Sequence, residues 1–102
     1  MTELVALVGS RGPCSLPGSA SPFSFSKNGA LVVLVWAAAP QASDYVIEVG
    51  SAPGLSNILV APLGAATSFT AVAPPGRYHA RIRGRNQCGL GPPSNEILVV
   101  VD

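Results

Sequence analysis

From Gly76 to Asn86 the chain alternates without a break: Tyr78, Ala80, Ile82 and Gly84 are apolar or small, and Arg77, His79, Arg81, Arg83 and Arg85 lie between them. A period of two is that of a strand with one dry and one wet face. Pro74-Pro75-Gly76 opens this strand, and the Gly- and Pro-rich residues 88–93 after it read as a loop. Every other strand is expected to pack against or beside it. Residues 31–36 predict a second strand, with Val32, Leu34 and Trp36 on one face and Trp36 as a core anchor. Its opposite face, Leu31, Val33 and Val35, is unusually apolar for a solvated side. Asn28-Gly29 before it predicts a hairpin to residues 23–27, because both residues tolerate positive φ. Further strands are predicted over 45–49, with Tyr45, Ile47 and Val49 inward, over 57–61 as an edge closed by Pro62, over 67–71 with Phe69 inward, and over 96–101. No window keeps a helical apolar period for three turns. About seven strands joined by short turns from Phe23 onward predict an all-β, two-sheet sandwich.

Ahead of it, Thr2-Glu3-Leu4-Val5-Ala6-Leu7-Val8 is a short apolar run that predicts an extra N-terminal strand within residues 1–10. Residues 11–21 are rich in Pro, Gly and Ser and read as a linker, with the sandwich over 22–102.

Composition sharpens this picture. The 102 residues suit one domain, and a chain of this size buries roughly two-thirds of its unfolded surface. Charged residues make up 11%, where about 25% is usual. Mean hydropathy is +0.43 although aromatics are only 6%, so Val, Leu and Ala are spread over both faces of several strands. Part of such a surface is expected to be covered by a neighbour. A net charge of +1 offers no field for nucleic acid, and no apolar run is long enough to span a bilayer. Glu3 stands where a signal peptide has its basic region, so a secretion signal would lie outside these residues.

Catalytic and metal chemistry find little to work with. Two cysteines and one histidine cannot fill a four-ligand zinc site. His79 sits early on its strand and Cys88 past its far end, too far apart for a nucleophile–base pair, so His79 reads as a surface residue. Asp44 and Glu48 share a strand face but read as too separated and too exposed to shift each other's titration. Gly89-Leu90-Gly91 has no helix after it and is no phosphate cradle. The expectation is a protein without catalytic residues, metal or cofactor.

Several stretches, in order, carry a likeness: Leu34-Val35-Trp36; Tyr45-Val46-Ile47-Glu48-Val49; Val72-Ala73-Pro74-Pro75-Gly76-Arg77-Tyr78; Arg81-Ile82-Arg83-Gly84-Arg85-Asn86; and Gly89 with Pro93-Ser94-Asn95-Glu96. Together they resemble a fibronectin type III domain of the kind found in bacterial extracellular proteins, over roughly residues 17–102. The resemblance implies an immunoglobulin-like sandwich with strands A, B and E in one sheet and C′, C, F and G in the other. It implies core anchors at Trp36, Tyr45 and Tyr78, beside the inward Phe69 read from its strand, with the Tyr78 hydroxyl bonded to backbone in the turn before it. Val72 replaces the usual Leu of that turn, Gly84 stands where the family tends to have Ala or Val, and no Arg-Gly-Asp tripeptide occurs. In this fold the start of strand A and the F–G loop share a pole, which implies a Cys14–Cys88 disulfide and an oxidising, extracellular or cell-surface setting. Unpaired thiols or bridges between subunits are the alternative.

A second likeness is internal. Residues 2–9 resemble residues 95–102 at an offset of 93, about one such domain. Either the chain is a piece of a tandem array, or a subunit lends its first strand to a neighbour's sheet edge. The partners expected are copies of itself or adjacent domains of the same kind, in a fibre or surface protein. The alternative is a spacer or ligand-binding module of a larger secreted protein. Arg77, Arg81, Arg83 and Arg85, about 7 Å apart along one strand face, would contact a sulfated or carboxylated polysaccharide. Cross-strand pairing with Glu48 and Glu96 is the simpler use of the same charges.

Overall fold

The computed structural model describes residues 14–102; residues 1–10, with the expected N-terminal strand, lie outside them. The described residues hold eight strands: β1 Phe23–Asn28, β2 Leu31–Trp36, β3 Asp44–Gly50, β4 Leu59–Gly64, β5 Ser68–Val72, β6 Gly76–Asn86, β7 Gly89–Pro93 and β8 Ile97–Val101. They form two sheets, one ordered β1-β2-β5 and the other β4-β3-β6-β7, with β8 also on β6. All strand pairings among the described residues are antiparallel, as expected for strands joined by short turns.

The long alternating strand β6 is the spine of its sheet. It pairs with β3 from Asp44↔Arg85 to Gly50↔His79, and its other edge takes β7 near its end and β8 near its start. β7 and β8 are thus two halves of one strand. Residues 88–93, read from the sequence as a loop, contribute β7. Pro92 and Pro93 are tolerated there because the far side of β7 is a sheet edge.

Between the sheets, Trp36 meets Phe23 and Tyr45 edge-to-face at centroid distances of 6.1 and 5.6 Å. Ile47, Ile82, Leu34, Val99 and Val101 complete the core. The Tyr45 hydroxyl accepts the Ala39 N–H at 2.9 Å and fixes the β2–β3 loop over this cluster.

Three other local expectations need correcting. At the first hairpin only Gly29 uses a positive φ, 60°; Asn28 is still paired, with Leu31. The turn therefore has Gly first of two central residues. β4 starts at Leu59 and continues through Pro62 to Gly64, because a register shift at Tyr45/Val46 lets an edge strand carry the proline. Phe69 faces inward opposite Leu34 but remains 36% exposed, because none of the described residues closes the sandwich on the β5 side.

Candidate functional site

Three features stand out: a pinned N-terminal arm, an arginine–carboxylate knot on the outer face of the larger sheet, and an open side between β4 and β5.

The arm is residues 14–22. It contains no strand, yet it is bound to the body. Cys14 is disulfide-bonded to Cys88 in the β6–β7 turn, with Cα atoms 5.7 Å apart. Asn86 Nδ2 donates to the Ser15 carbonyl at 2.8 Å and to the Gln41 carbonyl at 3.0 Å. The Gly18 N–H donates to the Pro40 carbonyl at 2.9 Å. Pro17 is fully buried, and two glycines make room for it. A Cβ on Gly84 would lie 3.0 Å from Pro17 Cβ, and one on Gly91 would lie 2.3 Å from the Pro17 carbonyl oxygen. Gly84 is buried, and Pro17 of the arm closes the space beside it together with Ala39 and Ala42, whose Cβ atoms would each lie 3.1 Å from the added Cβ. Further on, Asn95, in the link between β7 and β8, clasps the first residue of β1. Its Oδ1 accepts the Phe23 N–H and its Nδ2 donates to the Phe23 carbonyl, both at 2.8 Å.

The knot is built by the register of β3 on β6, which sets Glu48 opposite Arg81 with Arg83 two pairs along, on the same face. Glu48 Oε1 accepts from Arg81 Nε at 2.6 Å and from Arg83 Nε at 3.1 Å. Arg81 also reaches Glu96 at 3.1 Å and the Leu55 and Gly54 carbonyls at 3.4 and 3.3 Å. The Gly54 N–H returns a bond to Glu96 at 3.0 Å. Arg81 therefore ties the 51–57 loop to two strands. Glu48 is only 9% exposed, not the solvated carboxylate its sequence position suggested. Burial pushes its carboxyl pKa up, but hydrogen bonds and charge from Arg83 and Arg81 outweigh that and leave it lowered. At the end of the sheet Arg85 grips Asp44 through Nε at 3.0 Å and Nη2 at 2.5 Å. That hydrogen bond lowers the Asp44 pKa and raises that of Arg85. Three arginines thus face three carboxylates. Arg77 is exposed and makes no ion pair among the described residues. His79 Nδ1 lies 3.7 Å from Glu96. No cluster of metal-binding side chains occurs among the described residues.

The third feature is an asymmetry. On the β1 side the sheets are tied by the Asn95 clasp. On the other side β4 and β5 are each the last strand of their sheet among the described residues, and an apolar cleft of about 190 Å³ opens between them. Phe69, Leu59, Ile58 and Val72 line it, all at least 36% exposed. Tyr78 lies at its floor, packed on the edge of the core, and its hydroxyl donates to the Pro74 carbonyl at 2.6 Å. Val32, Leu34, Ile47, Val49 and Phe69 line the cleft from the inward positions that alternation marks as dry, and the sequence carries no sign that β4 and β5 leave them uncovered.

No family model and no curated protein matches the chain. Solved structures do. The chain is similar to the FN5 domain of Drosophila Lar at 18% identity and TM-score 0.68, covering 84% of this chain and 97% of that one. It is similar to chicken CNTN1 FN1-FN3 domains at 20% identity and TM-score 0.67, over 87% of this chain but only 32% of that one. A third is the 6th fibronectin type III domain from human fibronectin type III domain containing protein 3, at 20% identity and TM-score 0.63, covering 89% and 91%. The chain has the fibronectin type III fold.

Proposed function

We propose that this fibronectin type III sandwich is a non-catalytic structural module, joined head to tail to others of its kind through residues 2–8 in an extracellular bacterial fibre or surface protein. The observation that supports this most is the pinned arm. A covalent bond, a buried proline and hydrogen bonds hold residues 14–18 to one pole, so a segment ahead of Cys14 leaves the body from a fixed point. That is what a connector between rigid units needs. Residues 2–8 also resemble residues 95–101, which include β8, a strand that pairs with β6. A disulfide suits an oxidising compartment.

Deleting residues 1–10 tests the reading. The full chain should gain mass with concentration in light scattering, while the truncated chain stays monomeric. If both are monomeric at every concentration, head-to-tail joining by this segment is lost.

A second reading is a spacer in a multidomain protein. The CNTN1 structure, of which this chain spans about a third, carries FN1 to FN3 in one chain. In that setting the arginine face would hold a sulfated polysaccharide, using exposed Arg77 and the partly exposed Arg83 and Arg85. Heparin retention that survives changing Arg77, Arg83 and Arg85 to Ser removes the polysaccharide part.

A further inference from the structure

We infer that the cleft between β4 and β5 is the receiving site for residues 2–8 of a second copy of this chain. The inference rests on the reading that this segment joins copies, and it adds where the segment lands.

The cleft has the chemistry of a strand acceptor. β5 pairs with β2 along one edge, from Leu31↔Val72 to Val35↔Ser68, and its other edge carries no strand among the described residues. Edge strands present a row of backbone donors and acceptors ready to pair with another chain. Behind that edge the walls are nearly all apolar side chains. An apolar cavity of about 150 Å³ already admits a benzene ring, so this one has room for aliphatic side chains from an inserted strand.

Residues 2–8 match it in length and character. Seven residues span about 23 Å extended, and the five of β5 about 17 Å. Leu4, Ala6 and Val8 fall on one face of such a strand, with Glu3 the only charge. The geometry also selects a second copy. The arm is anchored at the pole of the β6–β7 turn, on the β7 edge of its sheet. The cleft opens between the opposite edges, and its lining residues Val72, Pro74 and Tyr78 lie by the other pole, where Gly76 pairs with Val101. A connector leaving one pole therefore meets an acceptor near the opposite pole of the next copy. This is a heterologous contact that repeats into a filament.

Two variants and their mixture test it. Leu59→Glu puts a charge on the cleft wall and keeps the segment; Ile58→Glu does the same nearby and carries the test should the first fail to fold, as judged by circular dichroism. Deletion of residues 1–10 keeps the cleft and removes the segment. In sedimentation velocity the full chain should form a concentration-dependent series, each variant alone should run as a monomer, and the cleft variant mixed with the deletion variant should give a 1:1 dimer of twice the monomer mass. A cleft variant that still assembles like the full chain, while the deletion does not, overturns the site and leaves the head-to-tail reading standing. A full chain that stays monomeric, with the deletion variant binding a peptide of residues 1–10 at 1:1, overturns the second-copy occupant. A monomeric full chain with no peptide binding ends both.

Discussion

Replacing Glu48 by Gln removes one negative charge from beneath two guanidinium groups and keeps the shape of the side chain. In the native protein a single oxygen, Oε1, accepts from Arg81 at 2.6 Å and from Arg83 at 3.1 Å. Hydrogen bonds that involve a charged group contribute roughly 1.5–3 kcal/mol each, about twice the neutral kind. The amide oxygen of Gln keeps the neutral share of both, and Arg81 keeps Glu96 as a second counter-charge. The net loss expected at neutral pH is about 2 kcal/mol. With a urea slope of roughly 1.5 kcal/mol per molar, the unfolding midpoint should fall by about 1.3 M. The pH dependence makes the prediction sharper. The folded-state pKa of Glu48 lies below its ordinary 4.5. Its contribution is therefore fully present above about pH 4.5 and is lost as pH falls through the folded value. Gln binds no proton, so the gap between the two proteins should be widest near neutrality and close in acid. Asp44 titrates in both and cancels. Urea titrations at about pH 7 and about pH 2.5 read the gap directly. A gap under about 0.5 kcal/mol at neutral pH, the size usual for an ordinary surface change, would refute the knot as a stabilising element. A gap that persists unchanged in acid would refute its electrostatic origin.

Three further outcomes follow from the same geometry. Gly91→Ala should destabilise by about 2–3 kcal/mol, as overpacking does, and by more than Gly84→Ala, since its Cβ would strike backbone at 2.3 Å while the other meets side-chain carbons at 3.0–3.1 Å; thermal melts that rank them the other way mean the arm is not seated as described. Changing Cys14 and Cys88 to Ser should lower stability by up to about 4 kcal/mol, the chain-entropy figure for a loop of this length, and a denaturation midpoint that does not move would rule out the pin as a stabiliser. Tyr78→Phe removes the 2.6 Å bond to Pro74 and should cost about 1 kcal/mol, measured by the shift in urea midpoint.

Much of the architecture can be read without coordinates because period-two patterning is a local property. The alternation of residues 76–86 marks β6, its apolar face and its place as the spine. The Trp36–Tyr45 contact likewise follows from two large apolar residues on inward positions of consecutive strands, which lie in opposite sheets and face each other across the core. The β6–β7 turn was less legible, since Gly89-Leu90-Gly91-Pro92-Pro93 has loop composition and becomes a strand only because an edge position tolerates proline.

What the chain's own order of residues determines is which faces are dry: alternation along each strand settles that before any strand meets another. What only the tertiary structure decides is what those faces meet. Glu48 changes from a solvated carboxylate to a buried one because β6 brings two arginines over it and the 51–57 loop closes above them. Phe69 has an inward position and no cover among the described residues, because β4 and β5 end their sheets there without meeting. Pairing and exposure depend on residues 20 to 80 positions away, and a one-dimensional pattern carries no information about which distant segment will arrive.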